Sequence, residues 1–258
     1  MRFDADLTAC ADLVRRADPD RFLAAMAAPV AARAVLFPIY ALNIEVARAP
    51  WVTAEPMIAG MRLQWWRDAL VEIAKGGPVR RHEVVTPLAG VLDPGMAAIL
   101  DDVISARYWD INKDPFEDMA EFTQHVDHTS GSLMCVAAQS LGQADEGVVR
   151  DFAFASGVSN WLRAVPELEA RGRVPLVDGT GAGVRDLAKT ALNRLEQARR
   201  GRSAVSKQAA PAMLAGWQAG ALLRQALHDP GRVADGTLVQ SGARMRLTLM
   251  ARASSGLW

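Results

Sequence analysis

The segment Met61-Arg62-Leu63-Gln64-Trp65-Trp66-Arg67-Asp68-Ala69-Leu70 is the most informative stretch of the chain. It lies within a run of helical spacing from Met57 to Lys75, which Gly76-Gly77-Pro78 stops. On that helix Arg62, Trp65, Trp66 and Ala69 share one face, while Gln64, Arg67 and Asp68 sit around the side. Two adjacent tryptophans beside two arginines give bulky walls with cationic heads, suited to an apolar chain with an anionic end. Core tryptophans with surface arginines produce the same pattern.

Helix signals continue on both sides. Asp18-Pro19 stands as N-cap and first helical residue before Asp20-Arg21-Phe22-Leu23, and Val30 to Arg48 is apolar at helical spacing with Pro38 as a kink point. Residues 79–92 form a short helix with loops. Asp93-Pro94 opens a helix to about Trp109, and Asp114-Pro115 opens one from about Phe116 to Leu141. Asp145 caps another, to about Arg171. After the loop Gly172 to Gly183, with Gly179-Thr180-Gly181-Ala182-Gly183 as a flexible connection, helices are expected at 184–200, 204–228 and 237–253. No alternating strand or repeat interrupts this, so the expectation is one all-α domain of about eight to ten helices.

Composition agrees. Among 258 residues there are 46 Ala against 2 Tyr and 7 Phe, which disfavours a sheet-rich fold. The 29 Lys+Arg balance the 29 Asp+Glu, which argues against disorder and against a nucleic-acid partner. The balance hides an asymmetry: residues 185–258 hold 12 basic and 4 acidic residues, leaving that third at +8 and the rest at −8. The basic third suits an anionic partner, a diphosphate or the acidic face of its own N-terminal part. Cys10 and Cys135 are too few and too far apart for a disulfide framework or cysteine zinc site. The start Met1-Arg2-Phe3-Asp4-Ala5-Asp6 shows no apolar leader, and no uninterrupted apolar run reaches the roughly 18 residues of a membrane span. A reducing, cytoplasmic setting is expected, with or without a peripheral association with membranes.

Two further signals carry chemistry. If Asn160-Trp161-Leu162-Arg163-Ala164-Val165-Pro166-Glu167 is helical, Asn160, Arg163 and Glu167 make a polar stripe beside a proline, a good place for a buried site. An ordinary surface face with Glu167 paired to Arg171 explains the stripe too. Glu121, His125 and His128 share a helical face, where a metal is one use and a solvated polar face the commoner one. Gly131-Ser132 follows and permits close approach of a neighbouring helix. Phosphate loops, nucleotide-binding glycine motifs, nucleophile elbows and dense carboxylate clusters are absent from the sequence.

Asp20-Arg21-Phe22-Leu23, Phe37-x-x-Tyr40-Ala41-Leu42-Asn43-x-Glu45, Arg62 to Asp68, Gly131-Ser132-Leu133-Met134 and Asn160-x-Leu162-Arg163 occur in order and spacing. In this the chain resembles the squalene/phytoene synthase family, firmly over residues 18 to 178 and loosely beyond. The resemblance implies a single domain over 1–258 with the isoprenoid synthase fold, a helical bundle around a central cavity. Active members join two prenyl diphosphates, holding Mg²⁺ with two D-x-x-x-D motifs. The corresponding positions here are Ala47 and Trp51, then Ala164 and Leu168. All four aspartates are missing, and a departing diphosphate of about three negative charges then lacks its usual neutralising metal. Leu162 to Pro166 and Arg171-Gly172-Arg173-Val174-Pro175-Leu176 are similar to the branch that includes the phytoene-synthase-like assembly factor of respiratory complex I, which also lacks the aspartates.

Three functions remain open on the sequence. The first is a non-catalytic member that acts as an assembly or binding factor, with a respiratory-complex subunit as protein partner. Its cavity would be lined by Tyr40, Asn43, Arg62, Trp66, Asn160 and Arg163 and would take a prenyl, quinone-like or lipid ligand with no cofactor. The second is an active prenyl transferase in which Glu45 and Glu167 help hold Mg²⁺ and Arg21, Arg62, Arg67, Arg163, Arg171 and Arg173 bind phosphate oxygens. The third is an interaction protein that docks through its basic C-terminal third, around Arg199, Arg200 and Arg202. No catalytic residue is assigned; Gln64 completes the set of candidate pocket residues.

Overall fold

The computed structural model describes residues 4–258; Met1 to Phe3, where the reading of the N-terminus begins, lie outside the described residues. Among those described there is no strand, only an isolated antiparallel bridge between Ala144 and Val205. The helices are α1 (Ala5–Ala17), α2 (Pro19–Ala27), α3 (Val30–Arg48), α4 (Pro56–Ala74), α5 (Val85–Ala89), α6 (Pro94–Ala106) and α7 (Tyr108–Asn112). They continue as α8 (Met119–Val126), α9 (Ser132–Gln139), α10 (Glu146–Ala170), α11 (Gly181–Arg200), α12 (Ala210–Met213), α13 (Ala219–His228), α14 (Gly231–Ala234) and α15 (Gly242–Ser255). These segments outnumber the eight to ten expected because several long helices are broken.

Local chemistry sets the starts. Asp18 Oδ1 accepts from the Arg21 N–H with Pro19 first in α2, Asp93 caps α6, and Asp145 caps α10. The sequence misplaces three boundaries. Asp118, not Asp114, caps α8, accepting from the Ala120 and Glu121 N–H groups. Thr180 Oγ1 accepts from the Gly183 N–H, so Gly179 to Gly183 is a helix start rather than a flexible connection. Ser241 caps α15, four residues after the expected start. The expected 204–228 helix is split into α12, a tight turn at Leu214–Gly216 and α13. The expected 116–141 helix is split too, by a π-helical turn at Asp127–Gly131.

The longest helix, α10, lies against α11, α13 and the π turn, while α3 packs on α1 and α4 on α6. Small residues make the close approach possible: a Cβ on Gly157 of α10 would lie 2.6 Å from Ser130 Oγ. Gly131, where close packing was expected, is tight as well: a Cβ there would lie 2.5 Å from Asp127 Oδ1 and 3.2 Å from Arg150 Nη1 of α10. Helix α3 is long and apolar enough, by length and composition, to cross a membrane, and 67% of that window is buried inside the bundle. Cys10 and Cys135 are buried, and burial pushes both thiols up to about 12, so neither is a nucleophile at neutral pH.

His125 corrects another expectation. It joins neither a metal site nor a solvated face; its ring lies 5.1 Å from Trp161, 5.3 Å from Phe116 and 5.6 Å from Trp109, and Nε2 has no hydrogen-bond partner. Burial, helped by the Arg107 charge, pushes its pKa down to about 3. In the unfolded chain the imidazole takes up a proton below about 6.5, whereas the folded protein keeps it neutral. Its contribution to stability is therefore intact above that value and lost as pH falls toward 3. Urea unfolding at pH 7.5 and 5.5 should show wild type losing stability on acidification by up to about 1.4 kcal/mol per pH unit from this group. His125→Phe should flatten that slope; an unchanged slope would show that His125 is not held neutral.

Candidate functional site

Helices α2, α3, α10 and α13, with the π turn, enclose a cavity of about 750 Å³, within the range of small-molecule sites. Its apolar wall includes Ile44, Ala47, Trp51, Trp161, Ala164 and Leu168. Asn43, Thr129, Ser130, Ser156, Ser159, Asn160 and Gln218 give it hydrogen-bonding groups. Thr129 and Ser130 are there because the π turn carries them onto the cavity side, with Thr129 Oγ1 donating to the His125 carbonyl at 2.7 Å.

The charged lining consists of Asp18, Asp20, Asp110 and Glu167 with Arg21, Arg48, Arg107, Arg163 and Arg171. Each carboxylate has an arginine. Asp18 meets Arg21 at 3.3 Å, Asp20 meets Arg163 at 3.0 Å, and Asp110 meets Arg107 at 3.7 Å. Glu167 is bonded to Arg171, and Arg48 reaches Glu45 at 3.0 Å. The buried pair at the floor is loose: Asp110 Oδ2 and Arg107 Nε have no hydrogen-bond partners. Burial outweighs the neighbouring arginines and pushes the Asp110 carboxyl above the usual carboxylate range, and it pulls Arg107 below the usual arginine range.

Trp51 occupies the rim. The Arg171 guanidinium lies 4.4 Å and that of Arg173 5.1 Å from its ring centre. Arg173 is buried behind it, donating to the carbonyl oxygens of Trp109 and Asp110. Trp161 is anchored by its indole N–H to the Pro175 carbonyl at 2.8 Å.

The candidates from the sequence are thus divided. Arg21, Asn43, Asn160, Arg163, Glu167 and Arg171 line the cavity. Tyr40 is buried beside it, under the Arg21 guanidinium at 5.5 Å, with burial raising its hydroxyl pKa to about 12. Arg62, Trp66 and Glu45 do not line it; they border a second cleft of about 210 Å³ with Trp65 and His82. There the Trp65 and Trp66 rings meet edge to face at 4.9 Å and both pack on His82. The double tryptophan therefore packs against the loop after α4 instead of walling the main cavity. Arg67 is held by two hydrogen bonds to Asp101, and Gln64 donates to Asp68. Sequence reasoning missed Arg48, Arg107, Asp110, Thr129, Ser130 and Gln218. Of these, Arg107 with Asp110, and Arg48 with Glu45, carried a readable i, i+3 pairing signal.

This helical bundle has the isoprenoid synthase fold. A dehydrosqualene synthase structure superimposes with a TM-score of 0.77 at 16% identity, over 97% of this chain and 95% of that one. A squalene synthase from Alicyclobacillus acidocaldarius gives 0.70 at 17%, over 86% and 93%. The squalene/phytoene synthase family model matches residues 14–177, and the chain belongs to that family. Among curated proteins it is similar to the NADH dehydrogenase (ubiquinone) complex I assembly factor 6 of Bos taurus, 24% identical over 169 residues and 64% of this chain. The chain spans about half the length of that relative (51%).

Mg²⁺ takes oxygen ligands, commonly carboxylates, and the cavity offers it no open set. Among the described residues no three His, Cys, Asp or Glu side chains are grouped to hold a metal ion. Ala47, Trp51, Ala164 and Leu168 supply no ligand, and the four lining carboxylates face arginines. Trp51 takes a structural part through its guanidinium stack. Trp51→Ala should cost about 1–2 kcal/mol in urea unfolding, with Trp51→Phe retaining most of it; an Ala variant as stable as wild type would show that the stack does not hold the rim.

Proposed function

We propose that this family member does not make prenyl–prenyl bonds and serves as an assembly or binding factor, of the kind the complex I assembly factors represent. Its cavity would hold a prenyl chain, a quinone-like tail or a lipid. The observation that carries this is the lining itself. The four positions that match the family's aspartates are Ala47, Trp51, Ala164 and Leu168, all on the cavity wall. Ionising an allylic diphosphate requires strong neutralisation of the leaving group, most of it ordinarily from Mg²⁺. The carboxylates that remain on the wall are neutralised by guanidinium groups instead. The curated relatives named as complex I assembly factors support a protein partner of the same class, a respiratory-complex subunit. The proposed setting is cytoplasmic or peripheral to a membrane, where apolar tails and membrane-enzyme subunits are both within reach.

The alternative is a working prenyl transferase. Arg21, Arg163 and Arg171 on the cavity favour it, since guanidinium forks suit phosphate oxygens. It would require Mg²⁺ held by a ligand set other than the usual two motifs.

Incubating the purified chain with farnesyl and geranylgeranyl diphosphate and Mg²⁺ separates the two. No C30 or C40 hydrocarbon should form; turnover of either would establish the transferase. Deleting the gene in its host should lower the amount of assembled complex I on native gels, and an unchanged amount would contradict the assembly role.

A further inference from the structure

The basic C-terminal third does not offer the arginines that lie closest together in its sequence. Arg199 and Arg202 donate to the Trp258 main-chain oxygen at 3.2 and 2.8 Å, and Arg200 lies 3.7 Å from Glu196. Helix α15 carries charge that is not engaged in this way. No acidic residue occurs from Gly236 to Trp258, a stretch that holds Arg244, Arg246 and Arg252. Arg244 and Arg246 are both exposed, and their side chains have no ion-pair or hydrogen-bond partner among the described residues.

Helix α15 is held to the body along one side. Leu249 is its one buried residue, in a small cluster with Ala24, Leu214 and Trp217, and Met245 and Ala253 pack against that cluster. At about 100° per residue, the opposite side carries Ala243, Leu247, Met250 and Ala251, all exposed. Arg246 runs along one edge of this stripe and Arg244 along the other. Leu247 is 68% and Met250 67% exposed, on a face that an ordinary solvated helix fills with polar residues.

An apolar stripe between two cationic edges matches the layering of an anionic bilayer surface. Leucine and methionine side chains enter the acyl boundary, while arginines keep their stems on apolar surface and their charged tips among the headgroups. With no carboxylate on the helix, nothing there repels acidic lipid. A second copy of the chain on the same face would set basic edges against basic edges, which disfavours self-association. We propose that the outward face of α15, Leu247 and Met250 between Arg244 and Arg246, docks the protein on a membrane surface that contains anionic lipid. Behind α15 lie α2 and the Leu214–Gly216 turn, and both also contribute residues to the large cavity. The inference rests on the peripheral setting proposed above and assigns it to one face; it does not depend on what the cavity holds.

The test is sedimentation of the full chain with vesicles of phosphatidylcholine, alone and mixed with phosphatidylglycerol. Wild type should sediment with the mixed vesicles far more than with phosphatidylcholine alone, and less as salt rises. Arg244→Gln combined with Arg246→Gln should lower the partition coefficient roughly 10- to 30-fold. Leu247→Gln combined with Met250→Gln should lower it at least about tenfold. All four side chains are exposed, so both double variants should melt as wild type does, which separates docking from folding. Arg185→Gln, which removes an exposed charge near the start of α11, should bind as wild type does. If either double variant also binds as wild type does, or if Arg185→Gln weakens binding as much as they do, the peripheral setting stands and this face is wrong. If wild type sediments with neither vesicle, the inference and the peripheral setting fall together. A dimer in sedimentation velocity that Leu247→Gln dissociates would make a second copy the occupant and overturn the proposal too.

Discussion

Every carboxylate that lines the large cavity is met by a guanidinium, three of them from three or four residues away along the chain and Asp20 from α10, and that pairing governs what the cavity can hold. Asp18 with Arg21 and Asp20 with Arg163 tie the start of α2 to itself and to α10. Asp110 with Arg107 and Glu167 with Arg171 do the same at the floor and rim. Carboxylates engaged in this way are poor ligands for a hard divalent cation, which competes for the same oxygens. The cavity lining carries five arginines against four carboxylates, a slight cationic excess.

The rest of the bundle supports that arrangement. Close packing of α10 on the π turn is possible because Gly157 has no side chain. The π turn in its place carries Thr129 and Ser130 to the cavity. At the rim, the Trp51 indole is stacked by Arg171 and Arg173. The aromatic cluster around His125 buttresses Trp161 behind the cavity wall.

The helices themselves were legible. Asp18-Pro19, Asp93-Pro94 and Asp145 marked starts through their own side chains, and Gly76 marked a stop through its left-handed φ of 67°. The breaks inside long apolar stretches were not, because a π turn at Asp127–Gly131 keeps helical periodicity on both sides. The stripe Asn160, Arg163 and Glu167 led directly to the cavity, because i, i+3 and i+7 fix one face of a helix. The tryptophan pair misled for a related reason: a helical face is legible in sequence, but what it packs against is not. Trp66 is buried on the side of His82, not on the cavity. Arg107 and Asp110 could be paired from their i, i+3 spacing, but that both reach the cavity is a tertiary fact with no local signature.

The central claim is that the diphosphate-binding metal site of the family does not exist in this cavity. Isothermal titration of the purified chain with farnesyl and geranylgeranyl thiodiphosphate, with and without Mg²⁺, tests it most directly. These analogues ionise poorly, so binding is read apart from chemistry. Binding that is absent, or the same with and without Mg²⁺, is the predicted result. Tight binding that appears only with Mg²⁺ would contradict the account and restore the synthase.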